Sequence, residues 1–140
     1  MQRYTVALLA GLGVAACASV PQAAISPAPT CSTDSDCTAK WAVARTFVIA
    51  HAGYKIQTYF PDLIQTSNPS NDDSKLAAQV NKNPSPWGGY RIEAQFYCAN
   101  TFGCSQSARD TLDQFNREVS AAGTSSVIWN PAQSAVTAAK

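Results

Sequence analysis

Two cysteine pairs of equal spacing, Cys31-x5-Cys37 and Cys98-x5-Cys104, constrain this 140-residue chain more than any other feature. In an oxidising compartment such an even set reads as a disulfide framework; in a reducing one it would raise the question of metal. Zinc fits poorly, because the spacing is wider than the usual C-x2-4-C and His51 is the one histidine available to support it. Sequence alone leaves the connectivity open. We favour the local bridges Cys31–Cys37 and Cys98–Cys104, since each pair brackets a turn next to a helix start. Each would contribute about 2 kcal/mol by closing a short loop in the unfolded chain. The predicted domain, residues 31–123, is small enough that its surface-to-volume ratio limits its core, and bridges would help it.

The compartment is read from the first residues. Arg3 gives a positive start, residues 4–14 are uncharged and mostly apolar, and small residues surround a fifth cysteine, Cys17. That is the pattern of a secretory signal, too short to span a bilayer. Val14-Ala15-Ala16-Cys17 resembles the lipobox of bacterial lipoproteins, in which the cysteine is acylated, palmitate being one such chain, and becomes the first mature residue. Residues 1–16 are then the signal peptide, and the Ala/Pro/Ser-rich residues 17–30 are read as a tether. The expected location is the cell envelope, lipid-anchored at the outer membrane. The alternative is cleavage after Ala16-Cys17-Ala18, which discards the cysteine and leaves a soluble periplasmic or secreted protein.

Charge narrows the partners. Lys and Arg number 10 and Asp and Glu 9. Arg3 is the leader's only charge, so the mature chain is near neutral and lacks the basic surface that nucleic-acid binding needs.

Periodicity gives the fold. Thr33-Asp34-Ser35-Asp36 is a capping box opening a helix to about residue 52, with Trp41, Ala44, Phe47 and Val48 on its apolar stripe and Gly53 as its stop. Alternation from Tyr54 marks a strand that Pro61-Asp62 bends before Leu63-Ile64-Gln65-Thr66. Leu76, Ala78 and Val80 mark a second. Residues 90–98 mark the third, with Ile92, Ala94 and Phe96 on one face and Arg91, Glu93, Gln95 and Tyr97 on the other. Ser107-Ala108-Arg109-Asp110 opens the last helix, with Leu112, Phe115 and Val119 inward. The expectation is an α+β two-layer sandwich in the order α-β-β-β-α, with a three-stranded antiparallel sheet and both helices on one face. Residues 124–140 read as a loose tail from which Trp129 can dock.

"CSTDSDC" before a Trp-bearing helix, "HAGYKIQTY", "DDSKLAAQV", "YCANTFGC" and "DTLDQFNREVSAAG" together resemble a group of small secreted or lipid-anchored envelope proteins of proteobacteria, across residues 31–123. The resemblance implies an envelope location. It carries no function and no active-site residues.

Chemistry is sparse. No nucleophile elbow, zincin, phosphate-loop or dinucleotide pattern occurs. Asp72-Asp73 lacks the rest of a calcium loop. Glu93 stands without a second placed carboxylate, and His51 sits in a helix's last turn, where the dipole suits it. No cofactor or metal is expected. Tyr59 and Tyr97, interleaved with Gln57, Gln95 and Arg91 on the wet sheet face, form the candidate binding surface, with Trp87 in the Pro/Gly turn beside them. The leading expectation is a non-enzymatic lipoprotein that binds an envelope or extracellular protein or glycan. A small-molecule or glycan-binding module is the alternative, and a hydrolase of an envelope polymer using Glu93 or His51 is the least favoured.

Overall fold

The computed structural model describes residues 23–123. The predicted signal peptide, Cys17, the front of the predicted tether to residue 22, and residues 124–140 with Trp129 lie outside the described residues. The elements run β1 (Thr30–Cys31), α1 (Asp34–His51), β2 (Ile56–Tyr59), β3 (Leu63–Thr66), β4 (Ala77–Pro84), β5 (Tyr90–Tyr97) and α2 (Ala108–Ala122). The described residues form an α+β fold, with two helices and one antiparallel five-stranded sheet in the order β1-β5-β4-β3-β2.

Two strands separate this sheet from the expected three. The break at Pro61-Asp62 is a hairpin turn rather than a bend, closed by the Phe60 amide donating to the Leu63 carbonyl at 2.8 Å, so β2 and β3 pair as separate strands. The other addition is β1, drawn from the end of the predicted tether, which pairs Thr30 with Arg91 and Cys31 with Tyr90. The order is therefore β-α-β-β-β-β-α. β2 to β5 form a meander, and α1 carries the chain from the β1 edge to the β2 edge.

The helix starts follow their sequence signals. Thr33 accepts from the Asp36 amide at 3.2 Å, and Asp36 reaches back to the Ser32 amide; Ser107 accepts from the Asp110 amide at 3.3 Å. Both bridges are local, Cys31–Cys37 and Cys98–Cys104. At the β4–β5 turn Gly89 has φ +71°, and a Cβ there would stand 2.2 Å from the Cys31 carbonyl oxygen, so only glycine lets β1 lie against this hairpin.

One core holds the layers together. Trp41, Ala44, Phe47 and Val48 of α1 and Phe115 and Val119 of α2 are buried with Ile64, Ala78, Val80, Ile92, Ala94 and Phe96 of the sheet. The rings of Phe47, Phe96 and Phe115 meet edge to face at centroid distances of 5.3 to 6.1 Å. Lys82, on the same sheet face, stays at the rim with its ammonium 5.3 Å from the rings of both Trp41 and Tyr90.

Residues 23–29 do not hang free of the domain. Ser26 donates its amide to Asp113 at 2.7 Å, Asn116 donates to the Ser26 carbonyl at 2.7 Å, Arg109 donates to the Ala23 carbonyl, and Pro29 is buried. The Ile92 amide donates to the Pro29 carbonyl at 2.8 Å. Pro27 and Pro29 have no amide hydrogen to donate, so the ladder goes no further than that bond and the segment passes to the surface of α2. The Ser26 amide, followed by Arg117, holds the Asp113 carboxyl below its ordinary pKa.

Two outcomes are expected. Phe115→Ala removes the fully buried ring shared by both helices and the sheet, and lowers unfolding free energy by roughly 3–5 kcal/mol in denaturant titration. Because Asp113's pKa is depressed on folding, its hold on residues 23–29 is complete above about pH 4 and is lost as pH falls through the folded value. Hydrogen exchange at the Ser26 amide, corrected for its intrinsic pH dependence, then accelerates on acidification, and in Asp113→Asn this pH-dependent step is absent.

Candidate functional site

The helices cover one face of the sheet, and on the other the strands present a largely polar surface. Register places Gln65 of β3, Gln79 of β4 and Gln95 of β5 side by side, with Thr58 of β2 completing the row. The neighbouring row holds Leu63, Asn81 and Glu93, and the next on one side pairs Asn83 with Arg91. On the other side Ala77 faces Tyr97. Because paired residues of antiparallel strands share a face, amides, an aromatic ring and one ion pair lie together.

Beside Tyr97 the face becomes a depression of about 300 Å³, floored by Ala77, Gln65 and Gln79 and walled by residues 67–69. Residues 67–69 are held by the Ser67 amide donating to the Lys55 carbonyl at 3.0 Å, and the Tyr97 hydroxyl donates to the Gln95 side-chain oxygen. Gln79 reaches Asn81 at 3.4 Å, and Asn83 donates to Glu93 at 2.9 Å. Glu93 also faces the Arg91 guanidinium at 3.7 Å, so the charges of this face neutralise each other.

Of the six predicted surface residues, the structure brings together Arg91, Gln95 and Tyr97. Tyr59 is elsewhere, for a definite reason. Gln57 and Thr58 together oppose Gln65, a bulge that inserts one residue into β2. A one-residue slip reverses side-chain direction, so Tyr59 pairs with Ile64 on the helix-covered face and lies under Arg45 of α1, 5.1 Å from its guanidinium carbon. Gln57 sits at the bulge on the edge strand. Trp87 stands at the tip of the β4–β5 hairpin, 93% exposed and beyond the last residue pair of these strands.

Sequence reasoning missed Gln65, Gln79 and Ala77. Gln79 was accessible, since it lies between the recognised inward residues Ala78 and Val80. Gln65 was hidden because β3 read as the tail of a bent strand.

Two of the other residues weighed for chemistry have neighbours of their own. His51 stacks on Phe47, with centroids 4.1 Å apart. Asp73 receives the Lys75 ammonium at 2.8 Å, a hydrogen-bonded ion pair that lowers the Asp73 pKa and raises that of Lys75. No group of three or more His, Cys, Asp or Glu side chains suited to a metal ion occurs among the described residues. Compared with known proteins, the chain matches no family model, no curated protein sequence and no solved structure.

Proposed function

We propose that this protein is a non-enzymatic, lipid-anchored envelope protein that binds a glycan through the open face of its sheet. The observation that carries the reading is the in-register row Gln65, Gln79, Gln95 ending beside Tyr97 and its depression. A primary amide presents both donors and an acceptor, matching hydroxyl and acetamido groups, and an aromatic ring stacks on the apolar face of a sugar. The charges present are paired with each other, which suits a neutral ligand better than an ionic one. Glu93, held by Arg91 and Asn83, acts here as a fixed polar contact rather than an acid or base.

Titration calorimetry of the full chain with soluble acetamido-bearing oligosaccharides tests this. Gln79→Ala and Tyr97→Ala are each expected to weaken binding by about tenfold, near 1.4 kcal/mol, with melting temperature little changed. Trp87→Ala is expected to bind as the parent does. No heat with any oligosaccharide, or equal affinity in all three variants, removes the reading. The envelope location rests on the lipobox-like Val14-Ala15-Ala16-Cys17 and on the resemblance across residues 31–123. Intact mass of the mature chain is expected to show acylated Cys17, and a mature start after Ala18 would refute it.

A second reading has its own observation. Trp87 is a nearly fully exposed indole on a hairpin closed by Ser85 and Gly89, the kind of anchor a protein partner buries. Cross-linking capture from the native envelope that is lost in Trp87→Ala and kept in Tyr97→Ala would favour it.

A further inference from the structure

The same end of the molecule gathers the exit of the N-terminal segment and a loop with a bare aromatic tip. Residues 23–29 run beside α2 so that Ala23 lies against Arg109, in the first turn of that helix. Ile25 lines a groove with Phe96, Tyr97, Ala108 and Leu112, where β5 ends and α2 begins. The loop joining those two elements carries the Cys98–Cys104 bridge, and within it Phe102 is fully exposed. Its backbone is held: the Phe102 amide donates to the Asn100 side chain at 2.8 Å, the Gly103 amide to the Asn100 carbonyl at 3.0 Å, and the Ser105 amide to the Ser74 carbonyl at 2.8 Å. An apolar ring is thus presented outward on a braced loop, with no apolar neighbour among the described residues to cover it.

Docking of residues 23–29 shortens the tether. A free tether from Cys17 to Cys31 would let the domain stand as much as about 48 Å from its anchor. With Ala23 fixed to Arg109, the sequence between Cys17 and Ala23 can span at most about 20 Å. The β5–α2 end is therefore held close to whatever Cys17 is attached to. Trp87 lies past the opposite end of β5, an 8-residue strand roughly 26 Å long.

We infer that the Cys98–Cys104 loop is a membrane-contacting surface, with Phe102 entering the lipid interface of the leaflet that holds the Cys17 anchor. This rests on the lipid-anchor reading proposed above. The ring carries no polar atom to keep it in water, and burial among acyl chains removes its whole surface from solvent. The sheet face then stands to the side of the domain, and Trp87 points away from the bilayer.

The test uses the full chain, purified from the envelope and reconstituted in phosphatidylethanolamine/phosphatidylglycerol vesicles whose acyl chains are brominated. Phe102→Trp adds an indole at the loop tip, and Trp87→Phe gives the contribution of Trp87 by difference. The fluorescence of residue 102 is expected to fall roughly twofold relative to unbrominated vesicles and to be shielded from aqueous iodide, while Trp87 stays open to iodide and unaffected by bromine. A residue 102 as open to iodide as Trp87, and unquenched by bromine, overturns the inference. Mass spectrometry of the same sample separates the two claims. An acylated Cys17 with an unquenched residue 102 leaves the anchor standing and removes the membrane-facing loop. A quenched residue 102 without acylation keeps the loop and removes the anchor.

Discussion

Phe47 of α1, Phe96 of β5 and Phe115 of α2 meet edge to face, and the placement of both helices depends on that contact. Each ring comes from a different element, so none of the three can be buried unless both helices lie over the same side of the sheet. Once they do, the inward residues of β3, β4 and β5 lose their water together, and Ile64, Val80 and Ile92 become inaccessible. Among the described residues, no second layer covers the other face. Polar groups there must be satisfied by water, by one another or by a ligand, and beside Leu63 and Ala77 its rows hold amides, a tyrosine and a compensated ion pair.

The same division decides how much could be read from the sequence. β5 is buried on one face and wet on the other along most of its length, so its strict alternation gave Arg91, Gln95 and Tyr97 their correct side. The helices were as plain, because Thr33 with Asp36 and Ser107 with Asp110 mark their starts and Trp41, Phe47, Phe115 and Val119 keep helical spacing. β2 defeated the same rule. Its alternation is real, but the extra residue at Gln57–Thr58 inverts the phase beyond it, and nothing in the local sequence announces a bulge on a short edge strand. Tyr59 was therefore expected beside Tyr97 and lies across the sheet from it.

The N-terminal segment shows a different limit. Ala, Pro and Ser give residues 23–29 the composition of a linker, and no periodicity contradicts that. What holds them is side chains of α2, Asp113, Asn116 and Arg109, more than eighty residues away. In the helix's own pattern these read as an ordinary polar face. Asn116 is buried beside Phe115, and only the structure shows that its side-chain NH2 finds its partner outside the helix, in the Ser26 carbonyl.

Recognition through the open face, if the glycan reading holds, inherits its character from this chemistry. Arg91 and Glu93 cancel one another within a single strand, and Asn83 adds a second hold on Glu93, so little net field leaves the face. Attraction at a distance is then weak, and affinity has to come from short-range hydrogen bonds and stacking at Gln65, Gln79, Gln95 and Tyr97. Ionic strength screens charges beyond about 10 Å at 0.1 M salt but leaves neutral hydrogen bonds almost untouched. A face built this way should hold its ligand nearly equally at low and high salt, unlike one that recruits an acidic polymer through exposed lysines. On the proposed glycan reading, the near-neutral composition and the amide rows are two expressions of one property: selectivity would be set by register across β3, β4 and β5, which the core fixes from the opposite side.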